Sequence, residues 1–387
     1  MSPLVYLVAA AHAVNDFYMG FLSILYPVIR ERFGLSLAMV GTVSMVAGMA
    51  SAFSQPLFGA FFDRRHVAVS LHLAPLLTAV LISMLSLAPS VPVLLGMLFL
   101  WCLGSAAFHP KGASVTPVLS GGEPAVGMAV FSAAGNLGLA AGSTVIGFFI
   151  AAWGWRSTPW LALPAVAVVT LLFVLLPPRR IDEYTKGRTE ITLRGLAADR
   201  AGLAAILRLV FINFSITVGL RGLQTFLGIH LTDLGESLES VGLLTTVYLA
   251  LGAIASIFVS SLVHRLGSRA LVASSIFAGP PLGVAGMLLL PSPVGWVLIV
   301  LSGMALGWSN PVLILKAQRH AGDSPAMASS LQMGLAWGLA GVAMLPLGAL
   351  GELIGTRNLL IVTCLVPLLG LVSCFRLPKD TKVQPAR

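Results

Sequence analysis

His12 and Asp16 lie four residues apart inside an otherwise apolar stretch near the start of the chain, with Asn15 beside them. On a helix that spacing puts both side chains on one face. An ionised aspartate near the middle of a bilayer costs about 2.5 kcal/mol or more on insertion scales. Asp16 therefore has to face a polar cavity, pair with a cation or carry a proton. A carboxylate poised among those states can exchange a proton as its surroundings change, which makes Asp16 the leading candidate for proton coupling. A static ion pair or hydrogen-bond network is the competing reading. His12 would share the proton or simply hydrogen-bond a neighbouring helix.

His109 and Lys111 flank Pro110 in a second apolar stretch. A proline bends a helix and frees a carbonyl, which can turn His109 towards a cavity for proton coupling or substrate contact. Lys111 needs a partner there: Asp16, an anionic group on a substrate, or the interface reached by snorkelling. Farther along, Arg221 lies deep in an apolar run, with Gln224 one turn on and Asn213 two turns before. A guanidinium can hold a carboxylate or phosphate in bidentate fashion. Arg221 and Gln224 are thus substrate candidates, with an Arg221–Asp233 pair as the alternative. Asn15 and Asn310 join them as candidate substrate contacts, and Gln332 is a weaker one. His12, Asp16 and His109 could in chemistry ligate a metal, but nothing in their spacing fixes one, and no metal site is expected. No Walker A sequence is present, so the chain itself should not hydrolyse ATP.

The elements that must position these residues follow from composition. Of 387 residues, 57% are hydrophobic and 10% charged, against roughly 25% charged in soluble domains. Mean hydropathy is +0.95. These values exclude a cytosolic enzyme, a disordered chain and a nucleic-acid-binding domain, despite a net charge of +9. Twelve apolar runs fall near 4–29, 37–62, 67–88, 91–117, 125–152, 157–177, 203–231, 238–263, 270–290, 294–317, 325–350 and 358–376. In lipid each backbone polar group needs a partner in its own segment, so the runs should be helices. The residues Ala11-His12-Ala13 resemble a signal-peptidase site, but no Lys or Arg precedes them, so a retained first helix is expected. Cys102, Cys364 and Cys374 read as buried apolar thiols.

With the N-terminus placed inside, sixteen of the 23 Lys and Arg residues fall on the cytoplasmic side and four, Arg30, Arg32, Arg156 and Arg357, on the other. Lys111, Arg208 and Arg221 lie within the runs. This asymmetry predicts that both termini are cytoplasmic. The one long polar stretch, 178–202, reads as a cytoplasmic linker between bundles of six helices, residues 1–177 and 203–387. The halves are similar: Phe33-Gly34-Leu35-Ser36 matches Leu234-Gly235-Glu236-Ser237 at an offset of 201, as do His109-Pro110 with Asn310-Pro311 and Arg64 with Arg265. Such a parallel duplication is expected of one large class of transporters. Gly138 and Gly142 form a G-x-x-x-G step suited to close helix packing. Trp153, Trp155 and Trp160 read as interface anchors, while Trp101, Trp308 and Trp337 could line a cavity.

Over its whole length the sequence resembles the major facilitator superfamily. That family carries G-x-x-x-D-[RK]-x-G-[RK]-[RK] after its second helix. Gly59-Ala60-Phe61-Phe62-Asp63-Arg64 supplies the first part, and His66 replaces the second glycine. The second half keeps Arg265, Gly267 and Arg269, with His264 in place of the acid. The resemblance implies that Asp63 and Arg64 act in a gating loop. Ala11-His12-Ala13-Val14-Asn15-Asp16, Gly104-Ser105-Ala106-Ala107-Phe108-His109-Pro110 and Gly135-Asn136-Leu137-Gly138 further resemble the fosmidomycin-resistance branch of bacterial inner-membrane efflux proteins. The chain departs from that branch at Lys111, where an acid is expected, and at Ser143, where drug antiporters carry proline.

The expected protein is therefore an all-α membrane protein with the major facilitator fold. It would be a monomeric secondary transporter, not an enzyme, moving a small anionic or zwitterionic molecule by alternating access. Proton-coupled efflux of a drug or metabolite is the leading reading; a lipid or lysophospholipid transporter and a proton-coupled uptake symporter are the alternatives. Protons, membrane lipid and the substrate are the expected partners, with no nucleic acid and no cofactor beyond the proton gradient.

Overall fold

The computed structural model describes residues 2–65, 70–121, 123–178, 200–320, 328 and 331–377. Among them are twelve helical segments long and apolar enough to cross a membrane, and no strand. In chain order they are α1 (Leu4–Phe33), α2 (Leu37–Arg65), α3 (Ser70–Leu87), α4 (Val91–Leu119), α5 (Pro124–Trp153), α6 (Trp155–Leu175), α7 (Arg200–Asp233), α8 (Leu238–Leu266), α9 (Ser268–Leu289), α10 (Pro293–Arg319), α11 (Leu331–Ile354) and α12 (Thr356–Phe375). Each matches one apolar run of the sequence. Apart from its ends, the linker expected at 178–202 lies outside the described residues.

The duplication is visible in individual hydrogen bonds. Gly34 ends α1 with φ +60°, and Gly235 follows α7 with φ +88°, a backbone region open to glycine at no steric cost. Each supports the same closing bond, from Leu35 N to the Arg30 carbonyl (2.9 Å) and from Glu236 N to the Leu231 carbonyl (3.0 Å). The next helix then starts the same way in both halves. The Ser36 hydroxyl accepts from Met39 N (3.2 Å), and that of Ser237 accepts from Ser240 N (3.3 Å). These serines satisfy amides that a helix N-terminus otherwise leaves open. An offset of 201 residues relates every partner in the two sets.

The repeat is not carried through everywhere. α4 runs unbroken through Pro110, whereas α10 is interrupted after Gly307 and restarts at Asn310. The continuous run expected at 294–317 is therefore two helices. Pro311 disfavours helical geometry at the residue before it, and the Ser309 hydroxyl covers the Leu306 carbonyl at 3.1 Å. α1 is likewise divided, at Gly20, into Leu4–Met19 and Phe21–Phe33. At that division the buried Ser143 hydroxyl donates to the Gly20 carbonyl at 3.1 Å. In a bilayer such a bond replaces the water that is missing.

The described residues form two compact units. The first holds α1–α6 with Arg221–Ala250 and Trp337–Leu360; the second holds α7 up to Leu220, Leu251–Ala336 and the chain from Ile361. Small residues allow the tight packing of the first unit. A Cβ added at Gly138 or Gly142 on α5 would run into the carbonyl of Ala13 or Phe17 on α1, as the G-x-x-x-G spacing leads one to expect. Gly142→Val should cost about 1–3 kcal/mol through overpacking, seen as a lower unfolding temperature in detergent. Unchanged stability would show that α1 and α5 tolerate a wider spacing.

Still within the first unit, α1, α2 and α5 meet stretches of α7, α8 and α11. Arg30 pairs with Asp233 at 3.0 Å, the Glu352 carboxylate accepts from Ala38 N at 3.0 Å, and Thr144 and Thr246 share a hydroxyl hydrogen bond of 2.6 Å. A Cβ at Gly41 would strike the Met344 carbonyl, and one at Gly348 the Leu37 carbonyl. The end of this unit that holds Arg30, Asp233 and Glu352 is thus joined by direct helix contact. By the Lys and Arg count it is the expected outer end.

Candidate functional site

The first unit gathers the polar residues of α1 and α4 around one carboxylate. Asp16 is flanked by His12 Nε2 at 3.1 Å from Oδ2 and by His109 Nε2 at 3.3 Å from Oδ1. Asn15 Nδ2 donates to Asp16 Oδ1 at 2.9 Å and approaches the Ser105 hydroxyl at 3.3 Å, while Thr78 donates to Asn15 Oδ1 at 3.2 Å. Asn15 is 0% exposed. Its amide is therefore engaged in fixing the carboxylate, and the substrate contact expected of it is not what this arrangement displays.

Both histidines are oriented by main chain. His12 Nδ1 lies 2.8 Å from the carbonyl oxygen of Phe131 on α5, and His109 Nδ1 lies 2.8 Å from that of Ser105, one turn back on its own helix. A carbonyl only accepts, so each Nδ1 carries the hydrogen. In the neutral ring Nε2 then presents a bare lone pair, and here that lone pair would face a carboxylate oxygen. Either contact becomes attractive only when a proton or another cation sits between the two atoms. The geometry thus sets two imidazole nitrogens against one carboxylate, one on each side of Asp16.

The pocket walls explain which neighbours are needed. The His12 ring stacks on Phe131 with centroids 4.0 Å apart and meets Phe108 at 5.6 Å. Gly135, one turn beyond Phe131, leaves the space that the ring occupies: a Cβ there would lie against His12 Nε2, Cε1 and Nδ1. Gly135→Ala should rotate His12 away from Asp16 and lower transport about tenfold, roughly 1.4 kcal/mol in barrier, matching His12→Gln. Full activity in the glycine variant would mean that the orientation of His12 is dispensable.

The remaining candidates are placed differently. Lys111, one residue past Pro110, is buried at 3% exposure, so its ammonium does not snorkel to the surface of the described chain. Asp16 is engaged by His12, His109 and Asn15. Arg221 does not pair with Asp233, which is bound to Arg30. Instead its Nη2 donates to the Ser44 carbonyl at 2.8 Å and its Nε to the Ser44 hydroxyl at 3.2 Å, tying α7 to α2. Ser44 and Thr225 are 3.0 Å apart, hydroxyl to hydroxyl. Arg221 thus acts in this structure as a helix tie, with Gln224 half-buried one turn on.

Asn310 and Gln332 belong to the second unit. Among the described residues, Asn310 Oδ1 and both amide atoms of Gln332 are buried without a hydrogen-bond partner, and the Gln332 carbonyl accepts from Asn213 at 2.9 Å. Trp101 is buried rather than cavity-lining to any visible degree, while Trp153 and Trp160 are exposed, 66% and 69%, as anchors should be. Asp63 and Arg64 lie in the last turn of α2; their side chains are outside the described residues, as is His66. The matching Gly267 has φ +79°, which gives the glycine of that motif its physical reason. Ser105, Thr78, Gly135 and Ser44 are the site residues that single-residue reasoning passes over. Only Ser105 and Gly135 carried a sequence signal, as members of the motifs at 104–110 and 135–138.

Twelve helices able to span a membrane among the described residues, an internal repeat and a His–Asp cluster in the apolar interior are the features of a solute transporter. Residues 8–341 match the Major Facilitator Superfamily, and the chain belongs to that family. It is 25% identical over 375 residues to the fosmidomycin resistance protein of Escherichia coli (strain K12), covering 95% of this chain and 91% of that one. It is also 25% identical over 390 residues to the MFS-type transporter YfnC of Bacillus subtilis (strain 168), covering 99% and 94%. Among solved structures, a mutant of the nucleoside transporter NupG shares the fold with a TM-score of 0.78 at 15% identity, covering 97% of this chain and 99% of that one. These relatives are transporters, and the chain is a transporter rather than an enzyme.

Proposed function

We propose that the protein exports a small anionic or zwitterionic molecule in exchange for protons, with Asp16, His12 and His109 as the proton-carrying group. The observation that carries this reading is the double approach of imidazole Nε2 atoms to one carboxylate, each ring locked by a carbonyl on its other nitrogen. Such contacts are attractive only while a proton sits between an Nε2 and the carboxylate, so gaining or losing a proton changes how tightly α1 is held to α4. A proton can bias access only if it binds the alternative states unequally, and a contact that depends on protonation supplies that inequality. The resemblance to a fosmidomycin resistance protein supports export as the direction. Lys111 and Arg221 are the cations that fit an anionic substrate as the helices rearrange.

In this reading the halves 1–177 and 203–387 alternate about the linker 178–202. The protein is a monomer in the bacterial inner membrane with both termini in the cytoplasm. The closed contacts among Arg30, Asp233, Ala38 and Glu352 belong to a state sealed on the outer side. Expression in an efflux-deficient bacterium, challenged with fosmidomycin, other antimicrobials and toxic anions, tests the proposal. Protection by the wild type against at least one compound is expected. Absence of protection across the panel, with the protein present in the membrane, would overturn export.

A further inference from the structure

The cluster that faces Asp16 is also built as a metal site. One ligand atom from each of His12, Asp16 and His109 lies within 4.8 Å of the other two. Each imidazole meets its own oxygen of the carboxylate, His12 Nε2 at 3.1 Å from Oδ2 and His109 Nε2 at 3.3 Å from Oδ1. Whichever oxygen ligates, one ring already stands near the ~3.3 Å ligand spacing that a tetrahedral ion with bonds of about 2.05 Å imposes, and the other lies within 4.8 Å. Proximity alone would not suffice, since acidic clusters without ions are common. Two further observations distinguish this one.

First, His12 Nε2 is buried and has no hydrogen-bond partner of acceptable geometry among the described residues, although it lies within ion-pair distance of Asp16. The residue is 6% exposed. An acceptor nitrogen has thus been placed in the interior facing a carboxylate and left without a donor.

Second, every ligand has the outer support that metal-binding side chains require. Ligating histidines donate their other N–H to a carbonyl or carboxylate, which fixes the tautomer and aims the ring, and ligating carboxylates are themselves hydrogen-bonded. His12 and His109 each have a carbonyl 2.8 Å from Nδ1, and Asp16 Oδ1 accepts from Asn15. Both rings therefore direct Nε2 inward without further rearrangement of the protonation pattern.

From this geometry we infer that His12, Asp16 and His109 bind one divalent transition-metal ion of borderline softness, with Zn²⁺ as the type case. Two imidazoles and one carboxylate suit Zn²⁺, Co²⁺ or Ni²⁺; Ca²⁺ and Mg²⁺ demand mostly oxygen. The remaining coordination positions are left for water or solute, as in zinc sites with three protein ligands. The ion can reach the site from one side, where the His109 side chain is 32% exposed and that of Asp16 16%. Once bound, it would join α1 to α4. The inference does not depend on export or proton coupling and survives if either fails.

The test is calorimetric titration of Zn²⁺ into the untagged full chain in lipid nanodiscs, beside Asp16→Asn, His12→Gln and His109→Gln. One saturable Zn²⁺ per chain is expected, weakened at least about tenfold by each substitution, the scale on which even supporting residues matter. No saturable binding, or binding that all three variants retain, would overturn the site; the latter would assign the ion to other histidines among the seven of the chain. Because a variant can fail to fold, Cu²⁺ loaded into the wild type provides a reading without mutation. Pulsed electron paramagnetic resonance should show two coupled imidazoles, and a count of none or one would contradict the assignment.

Discussion

Replacing Asp16 with asparagine is expected to abolish gradient-driven transport while leaving the protein folded and inserted. Asparagine has nearly the same shape and still offers an oxygen towards His12 or His109, so the packing of α1 on α4 and α5 survives. What disappears is the negative charge, and with it the reason for either Nε2 to hold a proton beside it. The two positions on the sides of Asp16 then no longer attract cations. A loss of at least about 100-fold in coupled transport, near 2.7 kcal/mol in barrier terms, is the expected scale. Substrate counterflow without a gradient should persist, because it needs no net proton movement. Comparable coupled transport in Asp16→Asn and wild type would remove the triad from the mechanism.

A disulfide across the closed end should stop transport just as completely, by a different route. Thr144 on α5 and Thr246 on α8 face each other with hydroxyls 2.6 Å apart, and the Thr246 hydroxyl also reaches the Ala140 carbonyl at 2.6 Å. Hydroxyls this close place the two Cβ atoms at most about 5.5 Å apart, so a small adjustment brings them to the ~4 Å that a disulfide needs. In a background without Cys102, Cys364 and Cys374, the pair Thr144→Cys and Thr246→Cys should cross-link on oxidation and lose transport, which reduction restores. Each single substitution should behave as the parent. Transport that continues through a fully cross-linked sample would show that α5 and α8 need not separate here, and that this contact is static architecture.

The two experiments address separate parts of the molecule. The first removes charge from the interior of α1 without touching the helix contacts. The second freezes helix contacts without touching the charge cluster. Full loss in both is what proton-coupled alternating access predicts, since the proton has value only if it biases a structural change, and the change has direction only if something biases it.

Much of the fold was legible from apolar runs, because lipid forces every spanning segment to satisfy its own backbone. The turn chemistry was legible too: Gly34 and Gly235, with Ser36 and Ser237 after them, stand at matching positions and make matching bonds. The break in α10 was less accessible, since Pro110 in α4 leaves its helix intact and Pro311 marks an interruption in the corresponding place. A proline identifies a weak point; the surroundings decide whether the helix ends there.

Within the site, the pairing of His12 with Asp16 followed from their spacing on α1. The approach of His109 did not, because it depends on how closely α4 lies to α1. The carbonyls of Phe131 and Ser105 that lock the two rings leave no trace in side-chain identity at all. Arg221 shows the opposite case. An arginine deep in an apolar run reads naturally as a substrate contact, yet its guanidinium is engaged by the Ser44 carbonyl and hydroxyl, backbone and side-chain partners that no charge count would select.

The most direct test of the account is proton movement measured in inverted membrane vesicles carrying an imposed pH gradient. A compound against which the wild type gives protection should dissipate the gradient when added to wild-type vesicles, and should leave it unchanged in vesicles containing Asp16→Asn at equal levels. Accumulation of that compound without any proton movement, or identical proton movement in the two proteins, would contradict proton-coupled export through Asp16, His12 and His109.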